Sequence, residues 1–139
     1  MEYTCRLEPN GTGGFIVRFD DVPEVLTEGD TRQEALTNAE DALEVALLGR
    51  MKDGDDFPVP AATKGDAIVA VSAQVAVKLA FYLAFKEAGM SRLALARKLG
   101  KDEAEIRRML DPHHATKLPA LEDALRALGK RLSVKLEAA

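Results

Sequence analysis

The sequence has little of what secreted and membrane proteins need. Cys5 is the one cysteine among 139 residues, so the chain cannot close an internal disulfide. No apolar run approaches the roughly 20 residues that span a membrane as a helix. The N-terminal segment MEYTCRLEPN lacks the basic start and the apolar stretch of a signal peptide, and we interpret it as mature domain sequence. These absences predict a cytoplasmic protein.

Aromatic residues make up 5% of the chain, which limits how it could bind a small molecule. Such a pocket needs a roomy apolar cavity with polar anchors. Tyr3, Tyr82 and the phenylalanines are the candidates for lining one. A ligand-sensing transcriptional repressor, with a small-molecule-binding front domain, therefore remains an alternative interpretation of the sequence.

The charged residues divide the chain into an acidic front and a basic back. Residues 1–90 hold 8 Lys and Arg against 16 Asp and Glu, whereas residues 91–139 hold 11 against 7. The net charges are therefore −8 and +4, which together give the −4 of the whole chain. This division predicts two small domains, 1–71 and 72–139, with nucleic acid as the partner of the basic one. For the acidic domain the charge leaves two interpretations open, a basic partner or a solvated acidic surface.

The front domain begins with the pattern of a β-hairpin. Residues 3–7 and 15–19 alternate apolar and polar side chains on either side of the turn-rich stretch PNGTGG. Cys5 shares a face with Tyr3, which predicts a buried strand residue rather than a nucleophile. After an acidic connection, residues 25–28 can add a third strand.

A long amphipathic helix follows these strands and is expected to pack on them. Thr31 and Glu34 form a capping box at its start, and the apolar spacing continues to Gly49. The apolar stripe of this helix comprises Leu36, Ala39, Leu43, Ala46 and Leu47. Residues 52–66 are rich in Gly, Pro and Asp, which predicts a surface connection. Residues 67–71 then predict a strand that can extend the sheet.

The back domain is organised around residues 91–110, where two short helical patterns meet at Gly100. Asp102, with Glu105 three residues later, provides a capping-box-like start for the second helix. Gly100 supplies the positive φ of the turn, and the small Ala96 lets the two backbones approach. The apolar sides comprise Leu93, Ala96 and Leu99 in the first helix, and Ile106, Met109 and Leu110 in the second. This is the layout of a DNA-binding helix-turn-helix, although a plain corner between two helices has the same pattern.

The polar side of the second helix carries the residues that we predict to read DNA in the major groove. These residues are Lys101, Glu103, Ala104, Arg107 and Arg108. Flanking residues are expected to contact the DNA backbone: Arg97, Lys98, His113, His114 and Lys117. The alternative is that Arg107 and Arg108 are solvated charges paired with glutamates of the same helix.

Two groups of residues invite a metal-site interpretation that we reject. His113 and His114 are adjacent, and no Cys or second His pair accompanies them, so a zinc site is not expected. Metal-dependent RNA hydrolysis would need the acidic residues Asp20, Asp21, Glu24, Glu28 and Asp30. These lie along one short stretch without strand-borne partners, a general base or a Gly-rich phosphate loop. The sequence therefore predicts no catalysis, no metal and no other cofactor.

The end of the chain has the alternation of a strand. After a loop at 111–118 and a helix that Pro119 begins and Gly129 ends, the apolar residues Leu132, Val134 and Leu136 alternate with polar ones. Such a strand must pair with the N-terminal sheet or with its copy in a second chain. The second option would give the two-fold dimer that binds a palindromic operator.

These motifs together resemble a known family. The front half, GGFIVRFDDVPEVLTEGDTRQEALTNAEDAL, resembles the HicB antitoxin family, whose pattern is a glycine-led strand, an acidic-Pro connection, a T-x-G-[DE]-T segment and a long helix containing EA. The back half, LARKLGKDEAEIRRMLDPHHATKLPALEDALRALGKRLSV, is similar to the helix-turn-helix of one branch of that family. The resemblance covers nearly the whole chain.

The resemblance implies an antitoxin of a type II toxin-antitoxin system that is not an enzyme. Such a protein binds and inhibits HicA, a small basic toxin that cleaves mRNA, and represses its own operon. The implied partners are a HicA-like toxin, operator DNA and further copies of the chain, in a homodimer or a tetramer. The expected fold is α+β: a small sheet with a helix, like part of a ribonuclease H domain, then an all-α helix-turn-helix domain with a C-terminal strand.

Overall fold

The computed structural model describes residues 1–62 and 64–138. Thr63, in the predicted surface connection, and Ala139, the last residue of the predicted second domain, lie outside the described residues. The elements follow in the order β1 (Glu2–Pro9), β2 (Phe15–Arg18), β3 (Leu26–Gly29), α1 (Arg32–Asp53), β4 (Ala67–Ala70), α2 (Ala73–Ala88), α3 (Arg92–Leu99), α4 (Glu103–Met109) and α5 (Leu118–Ala127).

The fold class is α+β, as predicted, with an antiparallel sheet and a helix followed by a helical region. The chain divides into two compact units, Met1–Ala76 and Val77–Ala139, and the division falls within the first turn of α2. Within the part of the chain that the structure describes, no helix is both long and apolar enough to cross a bilayer.

The first unit is built on a four-stranded sheet with the order β3-β2-β1-β4, in which all neighbouring strands are antiparallel. The register places Tyr3 of β1 opposite Val69 of β4, and Leu7 of β1 opposite Val17 of β2. Tyr3, Cys5 and Val17 are buried, and the residues beside them in each strand are more exposed, so the predicted alternation is confirmed. Burial also raises the pKa of the Cys5 thiol, as befits a core residue rather than a nucleophile.

The helix that packs on this sheet, α1, is longer than the sequence predicts. Its start is as predicted, because the Glu34 backbone N–H donates to the Thr31 hydroxyl at 3.1 Å. The helix passes through Gly49 and is capped by Gly54, which has a left-handed φ of 75°. A glycine inside a helix costs only about 1 kcal/mol, and the burial of Met51 beyond it outweighs that cost. The buried stripe comprises Ala35, Ala39, Leu43, Leu47 and Met51, whereas Leu36 and Ala46 are half-buried.

The connection from β3 to α1 requires a close backbone approach at Gly29. This residue is the glycine of the T-x-G-[DE]-T segment, and it is buried. A Cβ added to Gly29 would collide with the backbone nitrogen of Ala35 in the first turn of α1. Glycine is therefore the residue that lets this strand and helix pack together.

Gly29→Ala is expected to lower the free energy of unfolding of the first unit by about 1–3 kcal/mol, because the backbone must shift to admit a methyl group. Gly49→Ala is the matched control: a Cβ there meets nothing within 4 Å, and alanine stabilises a helix interior by about 0.5–1 kcal/mol. Denaturant unfolding followed by circular dichroism measures both changes. A Gly29→Ala variant as stable as the wild type would contradict the close approach.

The second unit packs its four helices, with α2 from Val77 onward, around one hydrophobic core. The buried residues of this core are Phe81, Ala84, Leu95, Ala96, Ile106, Met109, Leu121, Ala124 and Leu125. The final helix, α5, has Pro119 in its first turn and is followed by Gly129 with φ 78°, close to the predicted ends.

The predicted C-terminal strand is wrong for the single chain. The described residues after α5 form no strand, although Leu132 is half-buried beside the helical core. Val134 and Leu136 are 86% and 95% exposed. The physical reason is that an alternating segment becomes a strand only when a partner satisfies its backbone N–H and C=O groups, and none of the four strands of the described chain pairs with it.

Candidate functional site

The turn between α3 and α4 has the geometry that the sequence predicts. The Ser91 hydroxyl caps the start of α3 by accepting the Ala94 N–H at 3.0 Å. Gly100 ends α3 with a left-handed φ of 67°, and the Lys101 N–H then donates to the Ala96 carbonyl at 2.9 Å. The chain therefore reverses within a few residues, at a point where glycine is the residue without strain.

The second helix begins at once, and the two helices share a small-residue contact in the core. The Asp102 carboxylate accepts the Glu105 N–H at 2.9 Å, as the capping pattern predicts. Ala96 of α3 and Ile106 of α4 are both fully buried in the same core cluster. This is the close crossing expected of a helix-turn-helix.

One residue of α3 was assigned to the wrong side. Leu93, predicted to face the core, is 49% exposed, and Leu95 is buried instead. Leu95, Ala96 and Leu99 follow the spacing i, i+1, i+4, which defines a single helical stripe. Leu93 lies two residues before this stripe, or about 200° away around the helix.

Ion pairs occupy part of the polar side of α4. The Lys101 ammonium lies 3.3 Å from the Glu105 carboxylate. The Glu103 carboxylate forms ion pairs with two guanidinium groups, that of Arg92 at 3.1 Å and that of Arg107 at 3.4 Å. The alternative interpretation, in which helix charges pair with glutamates, therefore applies to Arg107. Exposed pairs of this kind contribute only about 0.3–0.5 kcal/mol each, so a phosphate group can displace them.

The other predicted cations are exposed and make no ion pair with a residue that the structure describes. They are Arg97, Lys98, Arg108 and Lys117. Of the remaining predicted residues, Ala104 is half-buried, and His113 and His114 are exposed. The His114 ring Nδ1 lies 3.1 Å from the Thr116 hydroxyl, and the His113 N–H donates to Asp111.

A buried lysine joins the end of α4 to the segment that follows it. Lys78 of α2 is only 6% exposed. Its ammonium donates to the His114 carbonyl at 2.6 Å, to the Thr116 hydroxyl at 3.2 Å and to the Arg108 carbonyl at 3.4 Å. Burial lowers the pKa of Lys78 to about 8, against the opposing effect of the Asp111 charge.

Sequence reasoning missed Lys78, although a signal for it was present. The apolar residues of α2 cover much of its circumference, so a charged residue among them is expected to lie inside. Lys78 directly precedes Leu79 and lies four residues before Tyr82, and both of these are buried. Its partners are 30 to 38 residues away in sequence, so no local pattern could identify them.

Three of the five acidic residues that a metal site would need have structural partners instead. Asp20 pairs with Arg6 at 2.6 Å, and Asp21 accepts two backbone N–H groups of the connection after α1, both at 2.9 Å. Glu24 pairs with Arg50 at 2.7 Å, and that contact lowers the Glu24 pKa. Across residues 1–62 and 64–138, no three His, Cys, Asp or Glu side chains converge as metal ligands would.

An open groove between β3 and α1 combines apolar and acidic side chains. We refer to it as the β3–α1 groove; its lining includes Val25, Leu26, Asp41, Ala42, Val45 and Ala46. Leu26 and Val45 are 59% and 72% exposed. Asp41 forms no ion pair with any residue in the described part of the chain. No local sequence pattern indicates this groove, because its two sides come from different elements.

Comparisons with known proteins agree on one family. A family model for the HicB-like antitoxin of bacterial toxin-antitoxin systems matches residues 2–80. Antitoxin HicB of Escherichia coli strain K12 is 39% identical over 135 residues, which cover 96% of this chain and 98% of that protein. Antitoxin HicB 2 of Photorhabdus laumondii is 41% identical over 134 residues, covering 96% and 95%. Antitoxin HicB of Pseudomonas fluorescens is 36% identical over 121 residues, covering 86% and 83%. The first two matches extend well beyond the family model into the helical unit.

Proposed function

Because this chain belongs to the HicB-like antitoxin family of bacterial toxin-antitoxin systems, we propose that it binds and inhibits a HicA-type mRNA-cleaving toxin and represses its own operon. It acts in the cytoplasm as a non-enzymatic regulator. The single observation that carries the proposal is the near full-length similarity to HicB antitoxins, which spans both the acidic sheet unit and the helical unit.

The proposal is tested by producing the chain together with the product of the neighbouring small open reading frame. We expect a stable complex on size-exclusion chromatography and loss of the toxicity of that neighbour. Failure to form a complex, with toxicity unchanged, would contradict the antitoxin function.

The β3–α1 groove is the surface that we assign to the toxin. It presents two exposed apolar side chains, Leu26 and Val45, next to Asp41, which has no ion pair within residues 1–62 and 64–138. The resemblance implies a basic toxin, and an acidic surface would attract it electrostatically while the apolar side chains supply buried area. The acidic surface of the opposite sheet face is a weaker candidate, because Arg6 and Arg18 neutralise acidic neighbours there.

Val45→Arg is expected to weaken toxin binding at least tenfold, because it places a positive charge where a basic partner would dock and removes apolar contact. Ile68→Arg is the matched control, since Ile68 is a similarly exposed (67%) β-branched apolar residue of β4 outside the groove. Isothermal titration calorimetry with the toxin measures both affinities. Equal affinities for the two variants would exclude the groove as the toxin site.

The helix-turn-helix is the element that we assign to operator DNA. The second helix, α4, presents Arg107 and Arg108 near its end, and Arg97, Lys98 and Lys117 flank it. These cations are exposed, so they can approach phosphates or base edges without disrupting the core. Arg108 has no competing ion pair within the described residues, so it is the arginine of α4 that is freest to bind.

Arg108→Ala is expected to weaken operator binding by about 1–3 kcal/mol, which is roughly 5- to 150-fold. Arg107→Ala is expected to cost no more than this, because Arg107 must first leave Glu103. Arg126→Ala removes an exposed arginine of α5 as a control. Gel-shift titrations at two salt concentrations give the affinities, and toxin binding is measured alongside and should be unchanged. Unaltered operator affinity in the Arg107/Arg108 double variant would refute this assignment.

The exposed tail after α5 is the segment that we assign to self-association. Val134 and Leu136 are almost fully exposed and alternate with polar residues, so pairing with a second copy would bury them and satisfy the backbone. A homodimer formed this way, or a tetramer of two dimers, would present two α4 helices to the half-sites of a palindrome.

Deleting residues 133–139 is therefore expected to reduce dimerisation and to lower operator affinity. Light scattering coupled to size-exclusion chromatography measures the mass, and Val134→Ser with Leu136→Ser provides a full-length variant that removes only the apolar side chains. A truncated chain that keeps the parent mass would exclude this tail from the dimer.

A further inference from the structure

The ammonium of Lys78 has a set of partners that fits a charged lysine. A lysine ammonium carries three N–H donors, and Lys78 faces two backbone carbonyls and one hydroxyl. No carboxylate pairs with it among the described residues. Burial of an ammonium without a paired carboxylate is costly, and the three hydrogen bonds offset part of that cost.

All three acceptors belong to one region of the chain. Arg108 lies in the last turn of α4, and its carbonyl also accepts the Asp111 N–H at 3.1 Å. His114 and Thr116 lie in the segment that leads from α4 to α5, and this segment has no regular structure of its own. A positive charge at a helix C-terminus is also favoured by the helix dipole. The Nζ atom of Lys78 in α2 therefore holds both the end of α4 and the segment that follows it.

We propose that Lys78 is a positioning residue for DNA binding, whose buried ammonium holds residues 111–117 against the end of α4 so that the exposed cations Arg108 and Lys117 are presented together. The inference rests on the proposed operator-binding function. It assigns the buried charge to the arrangement of the DNA-binding surface rather than to the stability of the core.

The charge on Lys78 is also sensitive to a nearby polyanion. The charged group that acts on it in the free protein is Asp111, which opposes the effect of burial. From α4 and the segment after it, the contacts are carbonyls and the Thr116 hydroxyl, which the His114 ring also contacts. Bound DNA would favour the ammonium form. Operator binding is then linked to proton uptake once the pH exceeds about 8, where the free protein loses that proton.

The test compares the wild type, Lys78→Met and Lys86→Met for binding to a duplex that carries the region upstream of the chain's own coding sequence. Methionine keeps an unbranched side chain, one atom shorter than that of lysine, and removes the donors. Lys86 is an exposed lysine of the same helix, so its variant removes an equal charge from the surface. We expect Lys78→Met to bind about tenfold more weakly at neutral pH, because hydrogen bonds to a charged donor are lost. Lys86→Met should stay within about twofold of the wild type.

A pH profile separates positioning from general destabilisation. The affinity of the wild type and of Lys86→Met should fall as the pH rises through about 8, and that of Lys78→Met should not show this fall. A folded Lys78→Met variant with wild-type affinity would overturn the inference. Weaker binding with an unchanged pH profile would also overturn it, because that result would reflect a structural role alone.

A second variant keeps the inference testable if circular dichroism shows that Lys78→Met does not fold. Thr116→Val removes one acceptor and leaves the charge in place. A loss of about threefold in operator affinity would support the inference, and wild-type affinity would overturn it. If the wild type itself does not bind the duplex, the proposed operator-binding function fails. If the wild type binds and Lys78→Met binds equally well, only the inference fails.

Discussion

At Gly29 the end of β3 passes so close to the first turn of α1 that a Cβ would collide with the backbone of Ala35. This constraint sets the distance between the helix and the sheet, and therefore which side chains of α1 reach the core. Ala35 and Ala39, the first buried residues of the stripe, are small, and larger residues follow toward Met51. The helical unit uses a similar solution, in which the small Ala96 lies in the same buried cluster as Ile106. In both units small residues permit the close contacts between backbones.

The two units differ in which of their charged side chains have partners within the chain. In the first unit three of the acidic residues before α1 have partners: Arg6 and Arg50 bind Asp20 and Glu24, and backbone N–H groups bind Asp21. The excess negative charge is therefore left on other surfaces, such as the β3–α1 groove with Asp41. The helical unit places its unpaired cations at the surface around α4. Two surfaces of opposite charge suit two partners of opposite charge.

The sequence predicted those features that depend on local spacing. Strand alternation, the caps at Thr31 and Asp102, and the turn at Gly100 involve residues within a few positions of one another, and the structure has all of them. Features that depend on distant partners were missed. Gly49 has the sequence pattern of a helix end. The helix continues because Met51 beyond it is buried, and the sequence alone does not reveal that burial. The choice between Leu93 and Leu95 depends on which side of a two-turn helix meets the core, and so few residues do not define a period.

The terminal segment and Lys78 also show that local sequence patterns do not identify distant partners. The alternation of Leu132, Val134 and Leu136 is a property of the sequence, but a strand is a property of a pair of segments, so the single chain does not form it. Lys78 is the reverse case, because its partners exist in the chain but come from a segment without periodicity.

If α4 binds operator DNA as proposed, its ion pairs determine which of its cations a phosphate engages first. Glu103 holds Arg92 and Arg107 on the surface of the helix, and its negative charge would itself repel a phosphate. A phosphate that approaches must therefore compete with Glu103 for Arg107, whereas Arg108 can be engaged without such competition. Added salt weakens exposed ion pairs, and it weakens protein–DNA contacts more steeply. We therefore expect the DNA to dissociate at salt concentrations that leave the protein folded. Lys78 lies beneath this surface and is screened much less, so the arrangement of the segment after α4 persists while the exposed contacts exchange.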